Sequence, residues 1–118
     1  MPILLLTATG RRSGKRRTVP LGYLRDGPDY VLIGSNGGQD EHPAWILNLR
    51  ADPQATVQIG RARVPVMTGE ADPERRSRLW AELVGQAPIY EGYKKRTARE
   101  IPVVILEPRP SGILSPAL

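Results

Sequence analysis

Near its amino end the chain reads Ile3-Leu4-Leu5-Leu6-Thr7-Ala8-Thr9-Gly10-Arg11-Arg12-Ser13-Gly14-Lys15-Arg16-Arg17. The first part, residues 3–8, is a short apolar run that stops at Thr9-Gly10, a pattern typical of a buried strand before a turn. The second part carries five cations and two glycines. Because backbone N–H groups beside glycine can approach a ligand closely, fixed positive charge here predicts an anion-binding loop.

The surplus charge of the chain is concentrated in this segment. The sequence has 118 residues, with 17 Lys and Arg, 12 Asp and Glu, and a formal net charge of +5. Without the five cations of residues 11–17, the remaining 12 basic residues are equal in number to the 12 acidic ones. A small anionic ligand therefore explains the segment best, ahead of solvated surface and of nucleic acid. Nucleic acid is disfavoured because no aromatic residues are interleaved with the cations as a stacking platform.

The composition excludes several kinds of site. The chain has no Cys and one His, which excludes disulfides, thiolate ligands and multi-histidine metal sites, so no metal is expected. The basic segment is not a P-loop, because three residues instead of four separate Gly10 from Gly14. No apolar stretch reaches the roughly 20 residues of a membrane span, and no signal-peptide pattern is present. We expect a cytoplasmic protein, with peripheral membrane association open if a further N-terminal segment exists.

The hydrophobic pattern predicts a β-rich α+β domain. It indicates six mostly antiparallel strands, at residues 3–8, 18–25, 29–34, 54–59, 63–67 and 103–106. It also indicates three short helices, at residues 42–51, 72–84 and 89–99, with Pro43 at the first helical position of the first. Since strands and helices do not alternate regularly, a small barrel with packing helices fits best. We expect one domain over residues 1–108 and a mobile tail at 109–118.

A second loop and a few aromatic residues are further candidates. Ser35-Asn36-Gly37-Gly38 lies between a predicted strand and a predicted helix, where its N–H groups could form a concave nest. Tyr90 and Tyr93 lie three apart on a short helix, compatible with a pocket wall or with simple packing. The solitary His42 fits a helix start better than an acid–base catalyst. No nucleophile–base constellation can be assembled, which favours chemistry in which a cofactor supplies the reactive atom.

Several separated motifs, in order and spacing over about residues 3–108, closely resemble the deazaflavin-dependent nitroreductases, which are actinobacterial oxidoreductases that use coenzyme F420. The motifs are the following: Leu4-Leu5-Leu6-Thr7-Ala8-Thr9-Gly10-Arg11-Arg12-Ser13-Gly14 with Arg17 and Pro20-Leu21; Gly34-Ser35-Asn36-Gly37-Gly38; His42-Pro43-Ala44-Trp45 with Asn48-Leu49 and Asp52-Pro53; and Arg99-Glu100-Ile101-Pro102-Val103-Val104 with Glu107-Pro108.

The resemblance implies a split β-barrel, related to flavin-binding proteins, in which the coenzyme's phosphate and oligoglutamate tail meet the basic loop. It implies that the second loop runs along the deazaflavin ring. The expected cofactor-binding residues are Arg11, Arg12, Ser13, Gly14, Lys15, Arg17, Pro20, Ser35, Asn36, Gly37, Gly38, Trp45 and Asn48. Tyr90 and Tyr93 match aromatic positions near the substrate, so Ser35, Tyr90 and Tyr93 are the candidate catalytic donors.

The resemblance also implies a function. Reduced F420 would pass a hydride to a small acceptor, which by family analogy is a quinone, a nitroaromatic compound or an enone. The alternative is a non-catalytic carrier of F420, or of FMN or haem, with FMN ranked below F420; either a monomer or a homodimer is compatible. Two departures bear on specificity: Asn36 stands where relatives often carry Lys, and Gly22 follows Pro20-Leu21 where a large residue is common. A wider or differently shaped pocket is therefore expected.

Overall fold

The computed structural model describes residues 1–109, which form one antiparallel sheet and three helices. The tail expected at 109–118 falls, beyond Arg109, outside the described residues. The strands are β1 (Ile3–Thr9), β2 (Arg16–Gly22), β3 (Leu24–Asp26), β4 (Asp29–Ile33), β5 (Gln54–Ile59), β6 (Ala62–Glu70) and β7 (Val103–Pro108). The helices are α1 (Ala44–Ala51), α2 (Pro73–Gln86) and α3 (Ile89–Arg96), and a single 3-10 turn spans Asn36–Gly38.

The sheet has the strand order β2-β1-β5-β6-β7-β4-β3. Seven strands replace the predicted six, because the strand expected at residues 18–25 is interrupted at Tyr23, whose N–H donates to the carbonyl of Pro2 at 3.0 Å. The first half, β2, pairs with β1, and only the second half, β3, forms the predicted hairpin with β4. The hairpin predicted between β5 and β6 is confirmed. The β-rich α+β class is therefore confirmed with one extra strand.

Two apolar clusters lie on opposite faces of the sheet. The inner cluster joins alternate residues of β1, β4, β5 and β7 to one face of α1. The outer cluster covers the other face of β4 and β7 with α2, through Leu79, Trp80 and Leu83. Strands β4 and β7 are thus buried on both faces, whereas the outer face of β1, β2 and β5 stays largely open to solvent.

The helix ends refine the sequence predictions. Helix α2 starts as predicted, with the Asp72 carboxylate accepting from the N–H of Arg75 at 2.8 Å. Helix α1 starts at Ala44, because Pro43 is still extended and occupies the N-cap position. Helix α3 ends at Arg96, three residues before the predicted end, since Thr97 is extended. Among residues 1–109, no helix is long and apolar enough to cross a membrane.

Candidate functional site

A groove of about 490 Å³ opens on the inner face of the sheet, beside the edge strand β2. One wall is apolar and consists of Val19 and Leu21 of β2 together with Trp45 of α1. The groove is also lined by residues of the loop 35–39, here called the groove loop, and by Tyr90 of α3. Its volume falls within the range of small-molecule sites, and apolar walls with a few polar groups are typical of them.

The pleat of β2 separates the two arginines at its start. In the register of β1 and β2, Arg17 faces Ala8 and Arg16 faces Thr9. Ala8 belongs to the inner core, so Arg17 points to the same side as Val19 and the groove. Arg16 points to the outer side, where its Nη1 donates to Oγ1 of Thr9 at 3.4 Å. Of these neighbouring cations, only Arg17 is on the groove side.

The turn before β2 is closed by its own backbone and one serine. The N–H of Gly10 donates to the carbonyl of Lys15 at 2.7 Å. The Ser13 hydroxyl accepts from the N–H of Lys15 at 3.1 Å and from Nη2 of Arg17 at 3.4 Å. Residues 10–15, here called the basic loop, are therefore held compact although residues 11–17 are all exposed. Ser13 fixes the shape of the loop and orients Arg17.

Asn48 connects the basic loop to helix α1. Its side chain is buried, and its Oδ1 accepts from the N–H of Arg11 at 3.0 Å. The basic loop is thereby attached to the helix that also presents Trp45 to the groove. Asn48 was expected to bind the cofactor; in the structure its side-chain carbonyl oxygen places the basic loop.

The groove loop makes a tight left-handed turn. Asn36 has a φ of 48° and its Nδ2 donates to the carbonyl of Glu41 at 3.0 Å, so this amide is engaged in holding the loop. Gly38, with a φ of 82°, packs against α3: a Cβ there would lie 2.9 Å from the carbonyl oxygen of Tyr93. Gly38 is thus needed for the close approach of loop and helix, and it does not line the groove.

The three candidate donors differ in their access to the groove. Ser35 is buried and lines the groove, and no hydrogen bond of its hydroxyl is found within residues 1–109. Tyr90 also lines the groove; burial, followed by the nearby Tyr93, raises the pKa of its phenol above the ordinary value. Tyr90 therefore keeps its proton and can donate a hydrogen bond. Tyr93 stacks edge-on against Tyr90 at 5.4 Å between ring centroids and lies behind it.

The structure brings together part of the predicted set. The predicted residues that line the groove are Ser35, Asn36, Gly37, Trp45 and Tyr90. Seven other predicted residues lie in the basic loop, at the start of β2 or on α1 and do not line the groove: Arg11, Arg12, Ser13, Gly14, Lys15, Arg17 and Asn48. Pro20 is not brought to the groove at all, because it pairs with Leu5 on the outer face of β2.

Some residues of the groove were not predicted from the sequence. Val19, Leu21 and Ile33 are apolar strand residues without any chemical signature, and Gln39 and Pro43 lie just beyond the second glycine motif. The alternation of β2 could have indicated Val19 and Leu21, once its pairing with β1 was known. No group of three or more potential metal-ligating side chains occurs within the part of the chain described.

Comparison with known proteins bears on what this groove holds. Residues 1–108 match the F420H(2)-dependent quinone reductase family. An F420H(2)-dependent quinone reductase of Mycobacterium tuberculosis is 38% identical over 112 residues, 92% of this chain and 74% of the relative.

Two solved structures are also similar. An F420-H2 dependent reductase has a TM-score of 0.81 at 39% identity, covering 90% of this chain and 94% of its own. A structure described as a domain-swapped dimer has a TM-score of 0.82 at 39% identity, covering 90% of this chain and 80% of its own. Flavin- and haem-binding proteins at 13% identity, with TM-scores of 0.61 and 0.69, share the fold alone.

These findings confirm the split β-barrel, the oxidoreductase class and coenzyme F420 as the cofactor. They agree with the groove as the structure shows it, with apolar lining residues and with the exposed Arg17 two residues before Val19 on the same side of β2. From residue 1 to residue 108, this chain belongs to the F420H(2)-dependent quinone reductase family.

Proposed function

We propose that this reductase transfers a hydride from reduced F420 to a quinone, with residues 1–108 as the coenzyme-binding domain. The observation that carries the proposal is the placement of Arg17 on the groove side of β2, in line with the apolar wall of Val19 and Leu21. Strand β2 thus provides a cation, Arg17, for an anionic tail. Two and four residues further along, Val19 and Leu21 provide an apolar surface for a flat ring. That order matches a coenzyme with an acidic tail and a planar head.

The residues present fit the coenzyme. Its phosphate and oligoglutamate tail require several cations, which the basic loop supplies together with Arg17, two residues before the lining Val19. Its ring requires a flat apolar surface, which Leu21 and Trp45 supply. Hydrogen bonds to charged groups contribute roughly 1.5–3 kcal/mol each. A few of them, less the ordering costs, suffice for the ~8 kcal/mol of micromolar binding.

The acceptor side of the groove suits a quinone. When bound, reduced F420 supplies the hydride, and a quinone becomes a hydroquinone by taking one hydride and one proton. The negative charge that develops on the quinone oxygen needs a hydrogen-bond donor in a site shielded from water. Ser35 and Tyr90 are the candidate donors among the residues that line the groove, and the proton comes finally from solvent. Tyr93 supports the Tyr90 ring from behind.

The decisive experiment compares acceptors with reduced F420. We expect the soluble quinone menadione to be reduced with a kcat/KM at least about tenfold above that of a nitroimidazole or cyclohexenone. The recovery of F420 fluorescence reports the rate. A carrier protein would bind F420 without acceptor-dependent oxidation, and that result would contradict the proposal. A preference for a nitroaromatic compound or an enone would retain the reductase and reject the quinone.

We also propose that the chain forms a homodimer, which the similar structure described as a domain-swapped dimer supports. Light scattering of the purified chain would test this: a mass near 13 kDa would contradict it, since the chain itself has a mass of 13.0 kDa. Peripheral membrane association stays a prediction, to be tested by sedimentation with vesicles.

A further inference from the structure

A single guanidinium, that of Arg99, holds the groove loop at both ends. Its Nη2 donates to the carbonyl of Ser35 at 2.8 Å, and its Nε donates to the carbonyl of Gln39 at 2.9 Å. Its Nη1 contacts Nδ1 of His42 at 3.0 Å, just beyond the loop. Arg99 follows α3 in the chain, 57 to 64 positions from these partners. The three acceptors bracket the tight turn that carries Asn36, Gly37 and Gly38.

We infer that Arg99 is a positioning residue for hydride transfer: it clamps the groove loop and thereby fixes where the Ser35 hydroxyl points. The clamp itself is independent of the proposed function, which enters only in assigning the groove to hydride transfer. The planar fork of Arg reaches three acceptors in fixed directions, which a Lys ammonium does not reproduce. Arg99 is half-buried, and carries a charge without a carboxylate partner within 4.0 Å in the described residues.

His42 completes the clamp as an acceptor. Because a guanidinium only donates, Nδ1 of His42 must accept and the ring proton must lie on Nε2. Burial, then the charges of Arg99 and Arg50, lower the pKa of His42 below its ordinary 6.5, while Glu70 opposes them. The neutral ring is therefore the form that the folded protein favours. Protonation would remove the acceptor and place an imidazolium against a guanidinium.

The clamp matters because hydride transfer depends on geometry more than binding does. A displacement of about 1 Å in a reactive site can reduce the rate roughly 100-fold. Binding of the coenzyme tail, in contrast, relies on the basic loop, which Arg99 does not touch. Loss of Arg99 should therefore reduce turnover much more than coenzyme affinity.

The kinetic test uses Arg99→Ala and Arg99→Lys, with Lys95→Ala as a control that removes an exposed cation from α3. We expect both Arg99 variants to lower kcat at least about tenfold with menadione, while the Kd of oxidised F420 changes less than about threefold. Lys95→Ala should leave both values unchanged. An unchanged kcat, or equal losses in kcat and affinity, would overturn the inference.

A second readout needs neither coenzyme nor acceptor. Hydrogen exchange of the free protein reports the peptide that spans residues 35–41, where the N–H of Gly38 donates to the carbonyl of Ser35 at 2.9 Å. Arg99→Ala should accelerate exchange there at least about tenfold, with the β5–β6 hairpin unchanged. Equal exchange in both proteins would reject the clamp. An inactive wild type with accelerated exchange in the variant would reject the proposed function and keep the clamp.

The role of His42 is tested by pH. The pKa of His42 lies below 6.5, so the wild type should keep its kcat down to pH 6.5. Its kcat should fall as the pH drops further and His42 becomes protonated. In His42→Asn, an amide oxygen near the position of Nδ1 keeps an acceptor that does not titrate. We expect this variant to retain its kcat over the same range. If kcat declined equally in the wild type and in His42→Asn, His42 would not be part of the clamp.

Discussion

The two loops at the groove are ordered in different ways. The basic loop, residues 10–15, is closed mainly by its own members, as in the bond from the N–H of Gly10 to the carbonyl of Lys15. The groove loop, residues 35–39, has no charged side chain and depends on Arg99 and on contact with α3. The basic loop provides positive charge, and the groove loop positions groups in the groove. Neighbouring residues in the sequence are enough to order the basic loop, whereas the groove loop is ordered by residues far away in the chain.

The largest effect should come from filling the contact between the groove loop and α3. In Gly38→Ala, the new Cβ would lie 2.9 Å from the carbonyl oxygen and 3.0 Å from the Cα of Tyr93, both backbone atoms. Left-handed strain costs about 1–2 kcal/mol for a residue with a side chain, and overpacking about 1–3 kcal/mol more. We expect the free energy of unfolding in urea to fall by about 2–5 kcal/mol.

Gly37→Ala is the matched control for this prediction. Gly37 has a φ of 64°, and a Cβ there would meet nothing within 4 Å. Only the strain of about 1–2 kcal/mol remains. If the two variants were equally stable, the contact with Tyr93 would not hold the groove loop, and the contrast between the loops would weaken.

The next effect concerns the charge of the basic end. We expect Arg17→Ala to weaken the binding of F420 at least tenfold, about 1.4 kcal/mol, because a charged hydrogen bond to the tail is lost. A fluorescence titration with the oxidised coenzyme measures the Kd. The free energy of unfolding should stay nearly constant, since Arg17 is exposed.

Arg16→Ala tests whether position or total charge matters. Both variants remove one cation from adjacent residues of β2, but Arg16 faces Thr9 on the outer side. We expect its Kd to stay within about threefold of the wild type, and this difference should persist at high salt. Equal weakening in both variants would mean that the coenzyme senses only the overall charge of the segment.

The same contrast explains what the sequence could predict. The basic loop, the two hairpins' turns and the start of α2 follow from neighbouring residues, such as Asp72 and Pro73, and were predicted. The break at Tyr23 was missed, because it depends on pairing with Pro2 across the sheet. Which residues of β2 face inward depends in the same way on its pairing with β1, so Val19 was not predicted. Pro20, an expected cofactor-binding residue, lies opposite Leu5 on the outer face.

Arg99 shows the same limit within the site. Arg99 belongs to a sequence motif, but no role was predicted for it. Nothing in residues 99–104 indicates that its guanidinium reaches back to the carbonyls of Ser35 and Gln39. Main-chain acceptors have no sequence signature, so such a clamp becomes visible only when the strands β4 and β7 are seen side by side. Sequence motifs were enough to predict where the site lies, but its contacts depend on how the strands pair in the sheet.

The smallest effect tests how independent the basic loop is. Asn48 gives this loop a long-range bond, from the N–H of Arg11 to its Oδ1 at 3.0 Å. We expect Asn48→Ala to lower the free energy of unfolding by about 1 kcal/mol, the typical net value of a hydrogen bond. The Kd of F420 should rise by less than the tenfold expected for Arg17→Ala, because the internal bonds of the loop remain.

Hydrogen exchange of the peptide spanning residues 10–15 reports the state of the loop directly. Asn48→Asp keeps an acceptor oxygen at the same place and should protect this peptide nearly as well as the wild type. If Asn48→Ala instead abolished both protection and coenzyme binding, the basic loop would depend on α1 as fully as the groove loop depends on Arg99. The basic loop could then no longer be distinguished from the groove loop by the way in which it is ordered.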